Sequence, residues 1–89
     1  MIVRYTVEFD TKAAKEIRVL AQHQQGRIIA KAQALADNPR PTGCTKLAGE
    51  SGLYRIRSGN YRIIYQIQDA RLVITVVKVG HRRDVYRGV

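Results

Sequence analysis

The sequence predicts an α+β fold, β-α-α-β-β-β, in which a mainly antiparallel four-stranded sheet carries two helices on one face. Three observations predict it. A short alternating segment at the N-terminus is followed by two stretches of helical periodicity, a Pro- and Gly-bearing break interrupts the middle, and the C-terminal half alternates with period two. With 89 residues and 45% hydrophobic content, residues 1–89 form a single domain with one core, so any active site lies on an open face.

Val3 to Phe9 reads as the first strand, with Val3, Tyr5, Val7 and Phe9 on one side and Arg4, Thr6 and Glu8 on the other. Asp10 or Thr11 offers an N-cap to a helix from about Lys12 to Leu20, whose apolar stripe is Ala13, Ile17 and Leu20. Gln22-His23-Gln24-Gln25-Gly26 reads as a polar hinge. A second helix then runs to about Asp37 on Ile28, Ile29, Ala32, Leu35 and Ala36. Asn38 to Gly43, with Pro39 and Pro41, cannot continue it and forms a linker. Three strands follow at Leu53–Arg57, Tyr61–Ile67 and Leu72–Val79, separated by Ser58-Gly59-Asn60 and Gln68-Asp69-Ala70-Arg71. Gly80 is expected to break the last of them.

Charge supplies the first functional clue. Sixteen cations against seven acids give a net +9, and eleven of the sixteen are arginines, whose planar fork suits phosphate. From Lys46 onward nine cations face three acids, so a polyanion is expected to meet the C-terminal half. No apolar run is long enough to span a membrane, and the first residues lack the pattern of a signal peptide, so a cytoplasmic protein with no membrane partner is expected. The lone Cys44 lies in a loop and reads as an incidental thiol.

Period-two geometry makes the clue specific. Arg55 and Arg57 point to one side of their strand, and Tyr54 and Ile56 to the other. With Ser58 to Tyr61 as the turn, Arg57 falls opposite Arg62, Arg55 opposite Ile64, Ile56 opposite Ile63 and Tyr54 opposite Tyr65. A slip of one residue would put Arg57 among the apolar side chains, which selects this register. Three arginines on one side of a hairpin repel one another unless an anion arrives; the alternative is that each snorkels into solvent or pairs with an acid. After Gly80 come His81, Arg82, Arg83, Asp84, Val85 and Tyr86. On the residues alone Tyr86 serves equally well as an anchor packed on the sheet, and His81 as an ordinary loop residue.

Leu53-Tyr54-Arg55-Ile56-Arg57, then Tyr61-Arg62-Ile63-Ile64-Tyr65, then Val79-Gly80-His81-Arg82-Arg83-Asp84-Val85-Tyr86, led in by Lys46-Leu47-Ala48-Gly49, resemble the RelE branch of the RelE/ParE toxin superfamily. The resemblance implies the toxin of a type II toxin–antitoxin pair. Such a toxin is a ribosome-dependent endoribonuclease (mRNA interferase) that needs no metal or other cofactor. It cuts the codon in the ribosomal A site and is neutralised by a RelB-like antitoxin. Its partners are then the antitoxin, the ribosome and mRNA, with operator DNA reached only through the antitoxin complex. Two alternatives share the fold: a ParE-type inhibitor of DNA gyrase and a non-catalytic nucleic-acid-binding relative.

The resemblance implies catalytic roles for Arg57, Arg62, Arg82 and Tyr86 and an RNA- or ribosome-binding role for Arg55. Lys46, Lys78 and Arg83 are added to the binding set as neighbouring cations. The arginines at 55 and 57 stand where the best-known member has lysines; arginine keeps its proton, so these two can only bind and stabilise charge. Attack by a 2′-hydroxyl needs a base, and histidine is the side chain that ordinarily titrates near neutrality, which nominates His81 as general base or acid. The acids are scattered, and His23, His81 and Cys44 lack the spacing of metal ligands.

Overall fold

The computed structural model describes residues 3–49 and 52–81. The chain runs β1 (Thr6–Phe9), α1 (Thr11–Arg18), α2 (Gln22–Gln33), a 3-10 turn (Ala34–Ala36), β2 (Thr45–Lys46), β3 (Leu53–Ser58), β4 (Tyr61–Gln68), a second 3-10 turn (Asp69–Arg71) and β5 (Val73–His81). The strands form one sheet in the order β1-β5-β4-β3-β2. The β1–β5 pair is parallel and the others are antiparallel, so the expected α+β class holds with a fifth, two-residue strand added. Among the described residues no helix is long and apolar enough to cross a membrane.

Local chemistry sets the helix ends. Asp10 is the N-cap of α1, its carboxylate accepting from the Ala13 N–H at 2.8 Å. The glutamine run expected to be a hinge is instead the first turn of α2, and Gly26 lies inside that helix. The Gln25 side-chain amide donates to the Leu20 carbonyl at 2.8 Å and to the Arg18 carbonyl at 3.2 Å. It thereby satisfies carbonyls that the end of α1 leaves without a helical partner.

Both helices cover one face of the sheet. Ala13 and Ile17 of α1, Ile28 and Ala32 of α2, and Leu35 pack on Ile56, Ile63, Tyr65, Ile67, Ile74, Val76 and Val79. The β3–β4 register has Arg57 opposite Arg62, Arg55 opposite Ile64, Ile56 opposite Ile63 and Tyr54 opposite Tyr65, as the alternation predicts. Gly59 takes the first position of the two-residue turn at φ +61°, a conformation that favours glycine there.

Two features of β5 depart from the sequence reading. Gly80 does not end the strand, which continues to His81 because both residues still pair with β4. The pairing also slips: Ile64 faces Lys78 while Tyr65 faces Val76, leaving Val77 as the extra residue of a bulge. Beyond Val76, β1 no longer accompanies β5, and Glu16 of α1 takes over that edge. Its carboxylate accepts from the Val79 N–H at 2.9 Å and lies 3.5 Å from Lys78 Nζ.

A polar clasp ties the linker to the opposite end of the sheet. Arg40 pairs with Asp69 at 2.8 Å, donates through Nε to the Tyr54 hydroxyl at 3.0 Å, and lies 5.1 Å from the Tyr54 ring centre. The Tyr5 hydroxyl donates to Asp69 at 2.6 Å. Arg40 first and Tyr5 second hold the Asp69 carboxyl below its ordinary value, while the same bond to Asp69 raises the Tyr5 phenol. A carboxyl lowered in the folded state contributes stability above its unfolded value, about pH 4, and that contribution is lost as pH falls through the folded value. Asp69→Asn is therefore expected to flatten the fall of the urea midpoint below about pH 4 while leaving the neutral-pH form folded.

Candidate RNA-binding face

The face of the sheet away from the helices carries the hairpin arginines. Arg57 and Arg62 are a cross-strand pair, and Arg62 also lies opposite Gly80. Arg62 is half-buried, and its Nε and Nη1 are enclosed with no hydrogen-bond partner among the described residues. Such donors carry a desolvation cost that an arriving anion repays. A small recess of about 80 Å³ adjoins them, lined by Arg57, Gly59, Asn60, Tyr61 and Arg62. Further along the same face Arg55 is steadied by a 3.3 Å bond to the Thr45 hydroxyl, and Ile64 opposite it is fully buried. The arginines thus flank a buried isoleucine, and charge acts more strongly beside buried apolar groups than in water.

The expected site residues divide three ways. Arg55, Arg57 and Arg62 are brought together on one face. Lys46 and His81 are not, and Lys78, which falls opposite Ile64 on that face, reaches to Glu16. Lys46 pairs with Tyr54, whose ring packs against the core, and so shares the helix side at the exposed sheet edge. Lys78 is only 8% exposed and its ammonium lies 3.5 Å from the Glu16 carboxylate. His81 is paired with Tyr61, ring centres 5.9 Å apart and edge to face, on the side where Tyr61 packs against the core. The bulge at Val77 lies between the apolar core and this pair, so alternation read along β5 could not place them. Arg82, Arg83 and Tyr86 lie outside the described residues.

Sequence reasoning missed Arg27 and Lys31. A groove of about 480 Å³ runs between α2 and the β3–β4 turn, lined by Arg27, Ala30, Lys31, Ala34, Arg57, Ser58 and Gly59. The available signal was a helix with no acidic residue from Gln22 to Gln33. Among the described residues no three of His, Cys, Asp and Glu lie close enough to hold a metal ion.

A small basic domain whose sheet offers clustered arginines on its uncovered face is the make-up of a toxin from a toxin–antitoxin pair, and residues 3–86 match the family described as the ParE toxin of type II toxin–antitoxin systems. The chain is 38% identical over 88 residues to a RelE-like toxin of Escherichia coli, covering 94% of this chain and 92% of that one. It is 35% identical over 86 residues to the mRNA interferase toxin RelE of Escherichia coli K12, covering 92% and 90%. The toxin in the crystal structure of the intact Escherichia coli RelBE toxin–antitoxin complex superposes with a TM-score of 0.75 at 34% identity, covering 86% of this chain and 95% of that one. The protein belongs to the RelE branch of the RelE/ParE toxin superfamily.

Proposed function

We propose that this toxin is an endoribonuclease that cuts mRNA in the ribosomal A site and is silenced by a RelB-type antitoxin, with operator DNA reached only through that complex. The observation that carries the reading is Arg62, a half-buried guanidinium with two enclosed donors and no partner among the described residues, opposite a second arginine. The names of its relatives, an mRNA interferase and a toxin crystallised with RelB, support the same assignment.

In the proposed reaction the ribose 2′-oxygen forms a bond to the adjacent phosphorus as the bond from phosphorus to the 5′-oxygen breaks. The products are a 2′,3′-cyclic phosphate and a 5′-hydroxyl. The 2′-hydroxyl proton leaves to a base, and the 5′-oxygen takes up a proton. Arg62, joined by Arg82, holds the charge that grows on the phosphoryl oxygens; Arg57 adds to it and Arg55 grips the neighbouring backbone. Tyr86 is assigned to stacking on a base or to proton transfer, and Arg83 to the backbone.

His81 shares the helix side of the sheet with Tyr61, away from Arg62, which argues against its service as the base. His81→Gln is therefore expected to leave the pH dependence of ribosome-dependent cleavage unchanged. Loss of one limb of the pH–rate profile in that variant would restore the histidine to the mechanism.

The reading is tested by mapping new 5′ ends on a reporter message under three conditions: ribosome-programmed message, free message, and ribosomes with Arg62→Ala protein. Cuts confined to translated codons and lost in the variant are expected. No cuts from a folded, antitoxin-free protein would overturn it in favour of a gyrase inhibitor, and cuts in free message would show an RNase that needs no ribosome.

A further inference from the structure

We propose that the groove between α2 and the β3–β4 turn is a second RNA site, in which Arg27, Lys31 and Arg57 hold backbone phosphates of a strand continuing from the arginine face. The inference rests on the ribonuclease reading and extends it to a surface that shares only Arg57 with the catalytic set.

Four features carry it. The groove holds about 480 Å³ and is lined by Arg27, Lys31 and Arg57 with no acid among its lining residues. Arg27 and Lys31 stand one helical turn apart on a helix that contains no carboxylate, an arrangement of like charges that disfavours the free helix and that a bound anion would reverse. Neither makes an ion pair among the described residues. Between the cations the floor is small: Ala30 from α2, Ala34 from the 3-10 turn that follows it, and Gly59 from the β3–β4 turn. A phosphodiester can therefore approach the backbone closely.

The groove is also continuous with the candidate active face. Arg57 and Gly59 line both this groove and the recess beside Arg62. A strand whose scissile phosphate sits at Arg62 can thus pass over Arg57 and round the turn onto α2. Phosphate contacts of this kind fix register and add affinity without reading bases, so the ligand is the phosphodiester backbone of RNA, supplied either by the message or by ribosomal RNA.

The test uses purified full-length toxin and the double variant Arg27→Gln/Lys31→Gln, both positions being exposed and outside the core. The probe is a 2′-O-methyl oligoribonucleotide, which cannot undergo 2′-hydroxyl attack, titrated by fluorescence anisotropy over a range of salt. Losing two phosphate contacts to single-stranded RNA is expected to reduce the slope of log K against log salt by about 1.4. Co-sedimentation with vacant ribosomes separates the sources: weakened oligonucleotide binding assigns the groove to message, and weakened ribosome binding alone assigns it to ribosomal RNA. Unchanged salt slope together with unchanged ribosome binding overturns the proposal, as does a loss confined to affinity for an acidic antitoxin segment. If the parent toxin cuts no message, the ribonuclease reading falls by itself. The oligonucleotide slope then still decides the groove.

Discussion

Replacing Arg62 with methionine is expected to cut the single-turnover cleavage rate on programmed ribosomes by roughly 10²–10³-fold, the usual cost of removing one charge-stabilising donor from a transition state. The same change is expected to raise the thermal midpoint. In the folded protein Arg62 holds two enclosed donors without partners among the described residues and faces Arg57 across the hairpin. Methionine keeps the length of the stem and removes both penalties. Even part of the roughly 1–3 kcal/mol attached to an unsatisfied buried donor corresponds to several degrees in a domain of this size, because 1 kcal/mol moves the midpoint by about 4–8 °C. Opposite signs in the two measurements, made on one preparation, would identify a residue kept for its chemistry at the expense of stability. A fall in both would make Arg62 a structural residue.

Tyr65→Ala is expected to have the largest effect on folding. Tyr65 is fully buried in the centre of β4, stacked on Tyr54 with ring centres 5.9 Å apart, and its hydroxyl donates to the Pro39 carbonyl at 2.8 Å. Burial, more than any neighbour, raises its phenol well above the ordinary value, so the hydroxyl remains a donor at any working pH. Emptying the site costs about 3–5 kcal/mol, set against the total of about 5–15 kcal/mol typical of a domain. Urea unfolding should show a large fall in midpoint with the slope retained. Tyr65→Phe keeps the ring and loses only the bond to Pro39, an expected cost of about 1 kcal/mol. If the two variants proved equally destabilised, the linker contact would outweigh the core ring.

The hairpin was readable because Arg55 and Arg57 alternate with Tyr54 and Ile56: that pattern admits one register, and the structure has it. No such signal exists in β5, where Val73 to Val77 is apolar on both faces apart from Thr75, so neither the bulge at Val77 nor the side taken by His81 could be foreseen. Thr45–Lys46 is too short for any period, and its strand character comes from pairing with Arg55 and Tyr54. The start of α2 was misplaced because glutamine and glycine read as loop, whereas Gln25 acts locally by bonding the end of α1. Arg40 and Asp69 meet across 29 residues of sequence, a pairing that only the tertiary fold creates. The cations of α2 gain a cationic neighbour only in the fold, which sets the turn carrying Arg57 beside them.

The parallel pairing of β1 with β5 has a genetic consequence. Thr6 finds its partner only at Val73, and β5 supplies both the neighbour of β1 and one neighbour of β4. Contacts this distant in sequence form late and cannot be made piecemeal. A reading frame interrupted anywhere before Val73 therefore yields a chain whose first strand has no place in the sheet and whose helices have half a surface to cover. Nonsense and frameshift alleles of this gene should be silent rather than weakly poisonous, so cells that inherit a damaged copy survive loss of the antidote.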